Sequence, residues 1–393
     1  MAPTCTHRER VLQTFSGHEP DRVPLDMMGN ATMLLDQTYD RLREYLGLSP
    51  IDPIRRGTTA NFYDERILEY FDIDFRRIFL PRHAQCAHEN HSDGSFTDAW
   101  GIRYKPDGLY SNIVHSPLRH VTTVEEIDAY PWPRAEQMFC VDGLAETARR
   151  MFAETDYALV ARNPVTAGFL DRASQLVETA EFLMMMLTAP HLAHRIIDHL
   201  LEVYKDVYAL FLDAVGPHVQ MVEVADDIGT QRGLLVSPDT YRTFIKPAEA
   251  QLYDLIHRKA PSAALFRHTD GAVFDIIPDL IEVGVDVLNP IQTSTTGMDP
   301  YLLKATYGDR IVFHGSIENL EGSAQQCIDE VKHKIDALGA GGGYVLASCN
   351  HMIDAPPENI VAMFHTAREY GRKETDTHAQ QVQGPHHRCQ EDV

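Results

Sequence analysis

Leu265-Phe266-Arg267-His268-Thr269-Asp270-Gly271 and Leu346-Ala347-Ser348-Cys349-Asn350-His351 each close a short apolar run with side chains of the kind that ligate metals. Such runs read as buried parallel strands, and polar groups just past a strand end sit where α/β barrels place their chemistry. The two stretches together predict a metal-centred site at a barrel mouth.

Working outward, the same rhythm recurs. Residues 157–161, 219–224, 263–266, 285–288, 311–314 and 344–347 are strand candidates, separated by helical stretches at 171–187, 191–214, 238–258, 273–282 and 323–338. Strands alternating with helices imply a parallel sheet with crossovers. Two earlier candidates, 23–27 and 77–81, bring the count to eight and predict a (β/α)8 TIM barrel, an α/β fold. A doubly wound open sheet satisfies the same alternation. Helical spacing over 6–15, 34–48 and 61–71 gives an N-terminal helical extension. Residues 91–118 alternate at period two and predict a small antiparallel insertion. The barrel domain is thus expected over 1–372. The polar tail 373–393 lacks apolar periodicity and is expected to be disordered. Gly341-Gly342-Gly343 precedes a strand, the wrong order for a phosphate loop.

Composition narrows the function. With 35 Lys+Arg against 57 Asp+Glu, the formal charge of -22 argues against nucleic acid or an anionic membrane as the main partner. It leaves room for an anionic small substrate held by a local arginine patch. The six cysteines are dispersed without a short-spaced pair, as in reduced thiols of an intracellular protein. A polar N-terminus and the absence of a long apolar run predict a cytoplasmic location.

Several residues are candidates for chemistry. His268 and Asp270 share a direction in an extended segment, and Cys349 follows a strand further round the barrel. Imidazole, carboxylate and thiolate make a three-ligand zinc site with one position open for substrate or water. Read blandly, His268 is a hydrogen-bonded core residue and Cys349 an apolar filler. Glu223, Asp226 and Asp227 crowd the end of another strand and repel unless protonated, solvated or neutralised by a cation. One of them serves as a further ligand, as acid or base, or as an anchor for substrate; alternatively, they form an acidic helix start capped by Asp227. His314, followed by Glu318, faces the same mouth, either binding substrate or simply buried. Asn289 and Gln292 are placed to hydrogen-bond substrate, as is Asp226.

At this point the chain resembles the uroporphyrinogen decarboxylase superfamily over most of residues 5–372. The resemblance rests on Asp226-Asp227-Ile228-Gly229-Thr230-Gln231, Leu235-Val236-Ser237-Pro238, His268-Thr269-Asp270-Gly271, Val285-Asp286-Val287-Leu288-Asn289-Pro290, Phe313-His314-Gly315 and Pro356-Pro357-Glu358-Asn359. It implies a (β/α)8 barrel and one of two chemistries. Decarboxylases of the superfamily grip a porphyrinogen with arginines in a segment similar to Met-Arg-Gln-Ala-Gly-Arg. Here that segment is Leu25-Asp26-Met27-Met28-Gly29-Asn30, without an arginine.

Corrinoid-dependent methyltransferases resemble the chain in Asp21-Arg22-Val23-Pro24 and in a His-x-Cys…Cys zinc motif. That motif implies zinc on His268 and Cys349, with Asp270 standing where the family has cysteine. The resemblance therefore implies a zinc-dependent methyltransferase or demethylase. Glu223, Asp227 and His314 would be catalytic, and a corrinoid would be co-substrate, free or on a separate protein, with a homodimer possible as in other barrels of this superfamily. The alternatives are decarboxylation of a porphyrinogen or smaller aromatic acid, and a non-catalytic tetrapyrrole- or corrinoid-binding protein.

Overall fold

The structure is a computed structural model that describes residues 5–30, 32–51, 64–83, 86 and 88–372. The predicted disordered tail lies outside the described residues, as does the start of the helical stretch at 61–71. Seven parallel strands form one curled sheet: β1 (Phe75–Ile78), then β6 (Ala158–Ala161), β7 (Met221–Ala225), β8 (Ala264–His268), β9 (Val287–Asn289), β10 (Val312–His314) and β11 (Tyr344–Val345). Between β1 and β6 the chain makes a four-stranded antiparallel sheet of β2 (Glu89–Asn90), β3 (Phe96–Thr97), β4 (Arg103–Asp107) and β5 (Tyr110–His115), where the insertion was expected.

The eighth stave is the predicted strand at 23–27. Pro24 has no N–H to donate, which limits its ladder to a few bonds. The Leu346 N–H donates to the Pro24 carbonyl (2.9 Å), Asp26 N–H to Leu346 (3.0 Å), and Asp74 N–H to Leu25 (3.0 Å). The segment is thereby bonded to both edges of the seven-stranded sheet, which excludes an open doubly wound sheet.

Two expectations are corrected. The strand predicted at 77–81 is β1, two residues earlier, and it carries two arginines. Arg76 points outward onto the Tyr157 ring (3.5 Å) and Glu65 (2.6 Å), whereas Arg77 points into the barrel. The helix predicted at 171–187 is two helices, Phe169–Val177 and Thr179–Thr188, broken at Glu178 with φ 85°.

Strand alternation stratifies the barrel interior. Phe75, Val160, Met221, Phe266, Val287, Val312 and Val345 form one buried apolar layer, plugged from below by Val11 of the helix His7–Phe15. That helix starts at a capping box, in which Thr6 and Glu9 satisfy each other's N–H groups. Fully burying each such side chain contributes about 1.5–3 kcal/mol. Two residues further along each strand, the inward positions become Arg77, Arg162, Glu223, His268, Asn289, His314 and Ala347. The apolar floor thus carries a polar layer at the C-terminal ends of the strands, and the candidate site rests on it. No helix among the described residues is long and apolar enough to cross a membrane.

Candidate metal site at the barrel mouth

The polar layer is held by ion pairs and by one continuous hydrogen-bonded chain. Arg77 donates to both oxygens of Asp26 (2.6 and 2.5 Å) and to Glu223 (3.2 Å), and Arg162 lies 3.2 Å from the other Glu223 oxygen. Burial alone would raise the Asp26 carboxyl, but Arg77 and His314 hold it well below the usual range. His314 Nε2 meets Asp26 Oδ2 at 2.9 Å, and its Nδ1 meets the Asn289 amide nitrogen at 2.9 Å. The Asn289 Oδ1 meets His268 Nδ1 at 2.7 Å.

With the Asn289 amide nitrogen toward His314 and its oxygen toward His268, neutral imidazoles satisfy this chain in one way. The amide nitrogen of Asn289 can only donate, so His314 Nδ1 accepts and His314 Nε2–H donates to Asp26. The amide oxygen can only accept, so His268 donates from Nδ1. Its Nε2 is left to face the mouth, the arrangement that second-shell partners impose on metal-binding histidines.

Beside His268 Nε2 stand two carboxylates. Asp227 Oδ1 is 3.6 Å away and accepts the Asp270 N–H at 2.9 Å. Ligand atoms of Asp227, His268 and Asp270 all lie within 4.8 Å of one another. Asp270 Oδ1 is buried without a hydrogen-bond partner. Burial, followed by the nearby Asp227 charge, raises the Asp270 carboxyl above its ordinary value. A buried, unpartnered carboxylate oxygen beside a second carboxylate and an outward-facing imidazole nitrogen fits a divalent cation. Its imidazole and carboxylate donors are of the kind zinc accepts. Gly271 makes the close approach feasible: it sits at φ +91°, and a Cβ there would lie 2.6 Å from the Gly229 backbone.

The other predicted residues take varied places. Asp226 accepts the Leu170 and Asp171 N–H groups (both 2.9 Å) and so caps the helix Phe169–Val177, whereas the expected cap was Asp227 on the segment that follows it. Asp171 in turn accepts the Asp227 N–H at 3.1 Å, and burial with the Asp227 charge pushes its carboxyl up to about 6. Gln292 accepts the Gly271 N–H at 2.9 Å and fixes the turn after Asp270. Glu318 accepts from Thr293 (2.6 Å) and Ser294 (2.5 Å), away from the triad. Cys349 is buried, and its thiol is outside the group of three ligand atoms. Burial, then Glu318 and Asp270, pushes that thiol well up. His351, left without a role by the sequence, accepts the Met33 N–H at 3.2 Å. Burial, with the nearby charge of Arg162, holds it down to about 4.

Residues 111–370, more than half of the chain, match the family described as uroporphyrinogen decarboxylase (URO-D). The chain belongs to that family. A solved methyltransferase from Methanosarcina mazei is similar in fold at TM-score 0.64 and 16% identity, over 93% of this chain and 99% of that one. Native xylanase 10B from Thermotoga maritima is a more distant match, at TM-score 0.39 and 13% identity over 58% of this chain and 80% of that one. No curated protein matches. Within the uroporphyrinogen decarboxylase family fold, the guanidinium nearest the segment 25–30 comes from β1. A Cβ on Gly29 would lie 2.1 Å from Arg77 Nη2, so the arginine fills that corner and is already paired with Asp26 and Glu223.

Proposed function

We propose that this family member is a zinc-dependent methyltransferase. It would move a methyl group between a small methylated substrate and a corrinoid, free or on a separate protein. The observation that carries this reading is the orphaned oxygen of Asp270, a residue grouped with His268 and Asp227 at the barrel mouth. Asp227, His268 and Asp270 would hold the ion, with Cys349 as the candidate fourth donor. Bound there, zinc supplies Lewis acidity toward the oxygen, nitrogen or sulfur that gains or loses the methyl group.

The chain's own residues do the rest. Asn289 keeps His268 in the tautomer that presents Nε2, and His314 and Asp26 anchor Asn289 from below. Asp227, half-exposed beside His268, completes the metal shell in this reading; where Cys349 takes that place instead, Asp227 is free to exchange a proton with substrate. Glu223, wholly buried between Arg77 and Arg162, positions Arg162 rather than touching solvent. Decarboxylation of a porphyrinogen is less supported, because both guanidinium groups of the interior layer are engaged with carboxylates.

The test is elemental analysis of the untagged full chain beside His268→Ala and Cys349→Ala. Cobalamin spectra with methylcob(III)alamin and cob(I)alamin would follow, against methyl ethers, amines and thiols. About one zinc per chain, lost in His268→Ala, with methylation or demethylation of cobalamin, supports the proposal. Equal metal in wild type and His268→Ala, or porphyrinogen decarboxylation by metal-free protein, overturns it.

A further inference from the structure

A cleft of about 1070 Å³ opens between the antiparallel sheet and the loops that follow β1 and β6. Its two sides differ in chemistry. The sheet side presents rings: Phe96 and Tyr104 stack at 5.4 Å on β3 and β4, and Trp100 lies on the turn between these strands. The barrel side presents cations: Arg82, Arg162 and Arg172 line the cleft against a single carboxylate, Asp98. In a chain of net charge -22, such a concentration of positive charge marks an anion site.

The arginines are not equivalent. Arg162 is paired with Glu223 at 3.2 Å, which ties the cleft wall to the polar layer carrying His268. Arg82 forms no ion pair among the described residues. Arg172 is 4% exposed: its guanidinium lies 4.7 Å over the Trp100 ring, Nη1 is 3.8 Å from Asp98 and Nη2 donates to the Val165 carbonyl at 3.0 Å, which leaves Nε alone without a hydrogen-bond partner. The adjacent Asn163, 5% exposed, also has an unpartnered amide nitrogen. Two buried donors without partners, in the wall of an arginine-lined cleft, await an acceptor. A macrocycle bearing many carboxylates would exceed what is left over, the Arg82 guanidinium and the Nε of Arg172.

We propose that this cleft binds a planar aromatic carboxylate, its ring on the Trp100–Tyr104 side and its carboxylate on Arg82 and Arg172. Its role as the methyl-bearing substrate rests on the reading above, but its binding does not.

The test exploits the two tryptophans of the chain. Trp132 packs elsewhere, stacked on His199 at 4.8 Å, so Trp132→Phe leaves Trp100 as the sole fluorescent reporter in the cleft. Full-length protein in EDTA is titrated with 4-methoxybenzoate and 2-naphthoate, and with the corresponding amides. Calorimetry is run in parallel. Saturable binding of the acids, about tenfold tighter than the amides and about tenfold weaker in Arg82→Ala, is expected from loss of one charge-assisted hydrogen bond. Arg172→Lys, which retains charge but not the planar donor face, loses a similar factor. Equal binding of acids and amides, no saturation, or wild-type binding by both variants overturns the proposal. Quenching of Trp100 by cobalamin but by none of the acids overturns it too. Because EDTA is present throughout, these outcomes are independent of the zinc reading.

Discussion

Replacing Asn289 with leucine removes the one residue that joins the two histidines of the barrel interior. Asn289 is fully buried, and its amide meets His268 Nδ1 at 2.7 Å and His314 Nδ1 at 2.9 Å. Leucine of similar size fills the space but leaves both ring nitrogens without partners. Each orphaned buried group costs about 1–3 kcal/mol, so the variant should lose roughly 2–6 kcal/mol of stability in urea unfolding of EDTA-treated protein. The second effect is on the metal. With Nδ1 unpartnered, the His268 proton is free to sit on either nitrogen and the ring is no longer oriented, so zinc affinity should fall about 10–100-fold in competition with a chromophoric chelator. Asn289→Asp separates the two effects. Its carboxylate still accepts from His268, but it cannot donate to His314, which must either move its proton to Nδ1 and away from Asp26 or take up a second one. That variant should lose stability while keeping zinc affinity closer to wild type than the leucine variant does. If Asn289→Leu lowers stability but binds zinc as tightly as wild type, Asn289 is packing alone and the tautomer reasoning is wrong.

Other perturbations give equally direct readings. Gly271→Ala puts a side chain at φ +91° and 2.6 Å from the Gly229 backbone, so it should lower the thermal midpoint by an amount equivalent to at least about 1–2 kcal/mol and release zinc together with stability. Asp26→Asn leaves Arg77 buried with only Glu223 as counter-ion, and breaking such a pair should cost about 3–5 kcal/mol in urea unfolding. For pH, the Asp171 carboxyl is raised to about 6, above its unfolded value, so the folded state holds that proton more tightly and its stabilising contribution is lost as pH rises through 6. Asp171→Asn should therefore gain stability relative to wild type between pH 5 and pH 7.5 in EDTA, and a constant difference across that range would refute the assignment.

The fold was legible because strand and helix alternate regularly, and because apolar runs end in polar groups. The exceptions have physical causes. Arg76 and Arg77 look like a surface turn, and only alternation within β1 turns one outward onto Tyr157 and the other inward to Asp26. The closeness of His268 and Asp270 was legible because their relation is local. Asp26 and His314 pair across 288 positions, and no local pattern announces such a contact. Strand parity does carry a usable signal: Val160 to Arg162 and Val287 to Asn289 step from the apolar layer to the polar one. Parity cannot say which loops converge. Asp227 follows β7, next to β8, and its carboxylate takes the Asp270 N–H directly. Cys349 follows β11, three strands further round, and its thiol stays outside the group of three.

Charge accounting across the layers explains why the mouth, rather than the interior, is the place to look for a cation. In the polar layer Asp26 and Glu223 face Arg77 and Arg162, two formal charges of each sign, closed by contacts of 2.5–3.2 Å. That layer is self-neutralised, so its arginines have little attraction left for an anionic substrate. One step higher, Asp227 and Asp270 stand beside His268 with no other basic side chain in ion-pair contact among the described residues. Their only donated hydrogen bond within the group is the Asp270 N–H to Asp227, which leaves Asp270 Oδ1 unmatched. Burial without a counter-ion forces such a carboxyl either to take up a proton, which is the direction in which Asp270 moves, or to bind a cation. Zinc affinity should therefore rise with pH as the Asp270 proton is displaced, by one tenfold step per pH unit below its raised titration point. A pH-independent affinity would show that Asp270 is no ligand.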